Sequence, residues 1–319
     1  MGAPFFSRSW DRGLTPEIAA TPPGKRFRNI VSAVLVVALL IAAALVAWRN
    51  VRIGRSDKKG AWRIAAFLFA ASMASWALVA SHVPTLFELY LLIMGLSWAA
   101  FQGGFVGLLY LAVEPYVRRN WPNALISSAR IISGRFRDPL AASHVLVGVC
   151  AGLVFVLLGA ATGWATNDVS TSIGVSLSGA RFLFGILLSD LNVAAFVATA
   201  VILVLVLLRS VVRRTWVADA LFVVLMTTVH VSSPAFIPGS VLFLVMQIWL
   251  LRRFGILALA AQKFTEVLTD SLPFTVTSWY AALSLTTPLV IASVAAWSLY
   301  AILSSRPGTA SRPATEPLA

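Results

Sequence analysis

Residues 29–48, NIVSAVLVVALLIAAALVAW, hold no charged side chain, and runs of this kind recur almost to the end of the chain. A helix needs about 20 apolar residues to cross a hydrocarbon core, and several of these runs reach that length. Inside a bilayer every backbone amide must find its partner within the protein, which leaves only helices and closed barrels. Barrel strands alternate apolar and polar residues, and these runs do not. The fold class expected is therefore all-α, a polytopic transmembrane helix bundle. Composition agrees: 59% of residues are hydrophobic and 12% are charged, about half the charged fraction of an ordinary soluble domain.

The expected organisation is a flexible polar segment over 1–28, a transmembrane helical domain over 29–303 and a disordered tail over 304–319, rich in Pro, Ser, Thr and Arg. Spans are expected at about 29–48, 61–80, 86–113, 144–163, 181–208 and 274–303, with shorter apolar runs at 216–231 and 239–251. A half-polar segment, 254–269, either crosses or lies in the interface, giving nine or eight membrane elements. Gly103, Gly104 and Gly107 offer a small-residue face for close helix packing in the third span. No apolar h-region precedes residue 29, so no cleavable leader is expected, and Phe6 breaks the myristoylation pattern. Cys150 is the sole cysteine, which excludes an internal disulfide; its place in an apolar run suggests a small packing residue.

The net charge of +13 is gathered in short loops. Loops 49–60, 114–143, 209–215 and 252–253 are basic, whereas 81–85, 164–180 and 232–238 contain no Lys or Arg. The positive-inside bias then puts the amino terminus outside and the tail inside, with anionic lipid headgroups of the bilayer as the partner of the basic loops. Lys25, Arg26 and Arg28, just before the first span, oppose that orientation. With no separate basic domain, the charge does not point to nucleic acid.

The longest break is 114–143, and a cytoplasmic interfacial helix is expected at about 122–137. Pro122 suits a first helical turn, and Leu125, Ala129, Ile132 and Phe136 share one face. Ser127, Arg130, Ser133 and Arg137 lie mainly towards the other. Gly134 weakens this helix and Asp138-Pro139 is expected to stop it. Such a basic amphipathic helix is either a connector held at the headgroups or a docking surface for a soluble protein. Glu114 is expected to pair with Arg118 and cap the third span.

The run LYLAVEPYVRRNWPNALISSARIISGRFRDPL (109–140) resembles a segment in the carboxy-terminal membrane region of bacterial receptor-like serine/threonine protein kinases. The residues that carry the resemblance are Ala112, Glu114, Pro115, Tyr116, Val117, Arg118, Arg119, Trp121 and Pro122, then Gly134, Arg135, Arg137, Asp138, Pro139 and Leu140. Two further stretches are similar to the same family, WRNVRIGRSDKKGAWRIA (48–65) and LPFTVTSWYAALSL (272–285). The family pattern continues Val-Gly-Arg-Asp after Asp-Pro-Leu, where this chain has Ala141, Ala142, Ser143 and His144. The resemblance implies the cytoplasmic membrane of a bacterium and a protein kinase or sensor protein as partner. It covers the membrane part only, because the glycine-rich loop, β3 lysine, His-Arg-Asp and Asp-Phe-Gly of a kinase domain are missing from this sequence.

Ionisable residues inside spans are functional candidates by default. Asp190 interrupts an apolar run and reads as a polar junction between an interfacial helix over 181–189 and a span over 191–208. Asp219 and His230 share a helix face about 16 Å apart, too far to pair. Glu88 sits at a span end, and Lys263 and Glu266 suit a helix-surface ion pair. Neither a His-Glu-x-x-His nor a Gly-x-Ser-x-Gly motif occurs, so no catalytic residue, metal or cofactor is assigned. The function expected is a non-catalytic membrane module for anchoring or signal relay. The alternative is a small transporter or channel using Asp190, Asp219 and His230, with an orphan membrane enzyme ranked third.

Overall fold

The computed structural model describes residues 23–304 apart from 55, 81, 83, 122, 167–178, 213, 231–235 and 272–283. Among the described residues there are ten α-helices and no strand. In chain order they are α1 Pro23–Arg52, α2 Lys58–Val79, α3 Leu86–Asn120, α4 Asn123–Ile132, α5 Pro139–Thr166, α6 Ala180–Val211, α7 Thr215–His230, α8 Ile237–Phe254, α9 Ile256–Ser271 and α10 Thr286–Ser304. Six of them, α2, α3, α5, α6, α8 and α10, are long and apolar enough to cross a membrane. The chain is a multi-pass helical membrane protein.

Helix α6 is the axis. Of its most apolar window 56% is buried, against 17–28% in the other five. Every residue of 201–206 is inside, so over this stretch the helix has no outward stripe. Around it lie Leu109 and Val117 of α3, Phe222 of α7, Leu250 and Leu251 of α8 and Leu259 of α9, all essentially without exposed surface.

Lipid tails are as apolar as leucine, so helices in a membrane associate by close packing, and small residues permit it. Gly103 and Gly107 do this between α3 and α2: a Cβ at Gly103 would stand 2.6 Å from the Ala65 carbonyl oxygen, and one at Gly107 would stand 3.1 Å from the Ala65 Cβ. Gly104 faces open space. The tightest crossing is α5 on α9. There Gly148 leaves no room for a Cβ beside the Ala258 carbonyl oxygen, and a Cβ at Gly152 would stand 2.7 Å from the Thr265 Cβ.

The basic loops gather at one end of the bundle. Asn50, at the end of α1, bonds α3 at Leu111 and Ala112; Arg209 of α6 lies over Trp121; Asp219 of α7 pairs with Arg252 of α8. At the opposite end Arg181 donates to the Ala80 carbonyl and His82 pairs with Glu88 at 2.5 Å. That contact with Glu88 raises the imidazole of His82.

Several expected boundaries move. The polar lead-in over 1–28 is cut short by α1, which already begins at Pro23, so Lys25, Arg26 and Arg28 belong to a helix. The third span runs on through 114–120, and the fourth begins at Pro139 rather than 144. Asp190 is no junction: α6 is unbroken from Ala180 to Val211 because the carboxylate is turned into the protein and not to the interface. The half-polar segment packs inside the bundle on α5, α6 and α8, burying Ala258, Leu259, Gln262, Thr265 and Leu268. Cys150 is exposed on the outside of α5 rather than packed. The tail expected over 304–319 falls, beyond Ser304, outside the described residues, as does most of 272–285.

Candidate functional site: a polar knot at the basic end

Pro115 lies inside α3. Proline has no N–H, so the carbonyl of Leu111 one turn earlier loses its helical partner. Asn50 replaces it. Its amide nitrogen donates to Leu111 at 3.1 Å and to Ala112 at 3.0 Å, so the end of α1 is tied to the weakened turn of α3. Glu114, only 2% exposed, holds the other side of that turn. Its Oε1 pairs with Arg118 Nε at 2.6 Å, and its Oε2 accepts the Asp57 N–H at 3.2 Å. The expected pair with Arg118 exists, but it does not cap the span, because the helix continues to Asn120.

Asp57 passes the link on. Its Oδ1 accepts the Gly60 N–H at 2.9 Å and caps the start of α2. A Cβ at Gly60 would fall on that carboxylate and push the cap aside. Trp121 closes α3 with its N–H on the Val117 carbonyl at 2.7 Å, its ring edge-on to Tyr116 and 4.9 Å beneath the Arg209 guanidinium. Arg119 is exposed, and Pro122 lies outside the described residues.

Helix α4 is shorter than expected, and its end has a clear cause. Gly134 has φ +87°, its N–H bonds the Ile131 carbonyl at 2.9 Å and the Arg135 N–H bonds the Arg130 carbonyl at 2.9 Å. This is the paired closure that a left-handed glycine allows after a last helical turn. Phe136 and Arg137 therefore stand beyond the helix. Asp138-Pro139 is not a stop but a start: Asp138 Oδ1 accepts the N–H groups of Leu140 at 3.1 Å and Ala141 at 3.0 Å, with Pro139 opening α5.

Two polar contacts fasten α4 to α5, Arg130 to Asp138 at 2.6 Å and Ser127 to His144 Nδ1 at 2.6 Å. Ser127 is fully buried, and α4 packs on α2, α3, α5, α8 and α9. It is docked among the helices, not floated at the surface. Arg135 and Arg137 remain exposed, without an ion pair among the described residues.

Burial pushes the Asp138 carboxyl up, but the Ala141 and Leu140 amides and Arg130 outweigh it and hold the group below the usual carboxylate range. A folded value below the unfolded one means the carboxylate stabilises the fold above the ordinary Asp value of about 3.9, and that this contribution is lost as pH falls through the depressed folded value. Asp138→Ala should lower stability by about 1–2 kcal/mol at neutral pH. Melting curves between pH 7 and pH 3 check the sign: wild type and variant should converge on acidification.

Of the three intramembrane candidates, Asp190 and Asp219 have different partners. Asp219 is engaged by Arg252 at 2.6 Å, and the side chain of His230 lies outside the described residues. Asp190 is 4% exposed; its Oδ1 accepts from Ser271 of α9 at 3.1 Å and its Oδ2 has no partner. On α9, Lys263 pairs with Glu266 at 2.9 Å, as the spacing suggests, but within the bundle rather than on its surface. Gln262 joins that pair to Gln247 of α8 through contacts of 3.1 and 3.5 Å. Sequence reading missed Asn50, Asp57, His144, Gln247 and Gln262, because each gains its role from a contact with another helix. No group of three metal-ligating side chains occurs among the described residues. No protein-family model matches the chain, and neither the curated proteins nor the solved structures yield a match.

Proposed function

We propose that the chain is a non-catalytic membrane module that anchors a signalling partner or relays its signal. It would lie in a bacterial cytoplasmic membrane with the basic end at the cytoplasmic headgroups. One observation carries this reading. Two of the stretches that resemble the kinase membrane region are remote in sequence yet interlocked, Asn50 and Asp57 of the first gripping Leu111, Ala112 and Glu114 of the second. Conserving shape at that end, with Arg135 and Arg137 left free, suits a platform on which a soluble kinase or sensor protein rests.

In this reading the nine described helices other than α4 all cross, which would put the amino terminus outside and the tail inside. The tagged protein should enrich a protein kinase or sensor from its native membranes, and Arg135→Glu with Arg137→Glu should lose it. No such partner, or one retained by the double variant, would count against the platform. Labelling of single cysteines at Ser56 and Ser172, with Cys150 replaced, tests sidedness; Ser172 should react from outside and Ser56 only from inside.

Asp190 favours a second reading, transport. A buried carboxylate with one oxygen unpartnered is costly and is usually retained for a use. Under this reading Asp190→Asn abolishes flux in reconstituted vesicles, and unchanged flux excludes it.

A further inference from the structure

Beneath α4 lies a cavity of about 370 Å³, bounded by α2, α3, α4, α6 and α9. Its walls are apolar, with Leu68, Val106, Ile131, Ala195, Ala198 and Ala260 among them. One charged residue lines it, Arg63, which is exposed and makes no ion pair among the described residues. Phe67 and Phe136, each more than half exposed, stand at the mouth, so the cavity opens to the surroundings and not to the core.

The position of the charge identifies the occupant. Arg63 is five residues into α2, about 7.5 Å along the helix from its start. It follows Trp62, which is 74% exposed, and aromatic side chains of this kind mark the headgroup level of a spanning helix. In sequence Phe136 stands between two exposed cations, Arg135 and Arg137. A cation at headgroup depth above an apolar slot that opens sideways matches an anionic phosphate attached to an acyl chain. A free anion has no use for the apolar slot, and in a zwitterionic lipid the headgroup cation offsets the attraction of its phosphate to Arg63.

We propose that this cavity seats one anionic phospholipid, its chain between α2, α6 and α9 and its phosphate on Arg63. The lipid would fill the space under α4 and hold that helix in place. This inference rests on the basic end lying at the headgroups, but not on the anchoring or transport readings.

The test uses the full chain in a neutral detergent, with phosphatidylglycerol and phosphatidylcholine of the same acyl chains as probes. Melting temperature and lipid retained in native mass spectrometry are read together. Phosphatidylglycerol should raise the melting temperature and remain as one bound lipid, whereas phosphatidylcholine should do neither. Arg63→Gln should weaken binding about fivefold, the factor that matches the ~1 kcal/mol of a basic side chain at an anionic surface. Ala195→Trp, which blocks the slot and leaves the charge, should weaken it at least as much. Equal response to both lipids overturns the proposal. So does an equal shift with glycerol phosphate alone, which would assign the effect to a free anion. Preference for phosphatidylglycerol that survives both substitutions overturns this site while leaving the orientation of the basic end intact.

Discussion

Gly148→Leu should cost the folded protein about 3 kcal/mol or more, beyond the usual range for an overpacked side chain. The reason lies in what the new Cβ meets. At Gly148 it collides with the backbone carbonyl of Ala258, which cannot rotate aside as a side chain can, and it would stand 2.7 Å from the Ala261 Cβ. Gly152, one turn on, is equally confined, since a Cβ there would stand 2.9 Å from the Gln262 carbonyl oxygen. Helices α5 and α9 would have to separate along their whole contact, exposing Thr265 and Gln262 to lipid. Thermal unfolding of the purified protein in detergent, followed by loss of the monodisperse species, measures the effect. Gly104→Ala is the control, since nothing stands within 4 Å of its Cβ; it should change stability little and can gain up to about 1 kcal/mol of helix propensity.

Glu114→Ala is the second large expectation, about 2–3 kcal/mol. The substitution removes a buried acceptor and leaves the Asp57 N–H without its partner. The loss of Arg118 weighs less, because that side chain is 66% exposed and returns to water. Glu114→Gln keeps an acceptor of the same shape and should recover roughly half of the loss. Asn50→Ala acts on the same turn of α3 through the Leu111 and Ala112 carbonyls. The double variant should therefore fall short of the sum of the single effects, as neighbours in one network do. Equal and additive losses would show that the two contacts are independent.

The membrane helices were legible because twenty apolar residues in a row have only one sensible use. What surrounds them was less so, for reasons that differ residue by residue. The third span is expected to end at about 113, just before Pro115, whose missing N–H leaves the Leu111 carbonyl without its helical partner. Asn50 supplies that donor from another helix, and the helix continues. Asp138-Pro139 was readable and misassigned: an acidic cap followed by proline is the pattern of a helix start as much as of a stop. Gly134 carried the stop instead, through a positive φ that local sequence alone does not reveal. Asp190 looked like an interface residue because a single chain does not disclose that Ser271 stands opposite. The small-residue faces were half seen. Gly103 and Gly107 do bring α3 onto α2, while the same spacing at Gly148 and Gly152 went unread.

The link from Asn50 to the turn at Pro115 has a consequence for how the chain is made. A growing polypeptide enters the membrane from its amino terminus, and domains form in that order. When α3 arrives its Leu111 carbonyl has no partner in its own backbone, but α1 and the Asn50 amide are already in place to donate to it. The costly turn is thus never left waiting for a partner still to be synthesised. The α5–α9 crossing is the reverse case, because Gly148 has no close neighbour until the ribosome has passed Ala258. Biogenesis should accordingly be tolerant of delay in the first three helices and vulnerable between the fifth and the ninth, where quality-control proteases would find their opportunity.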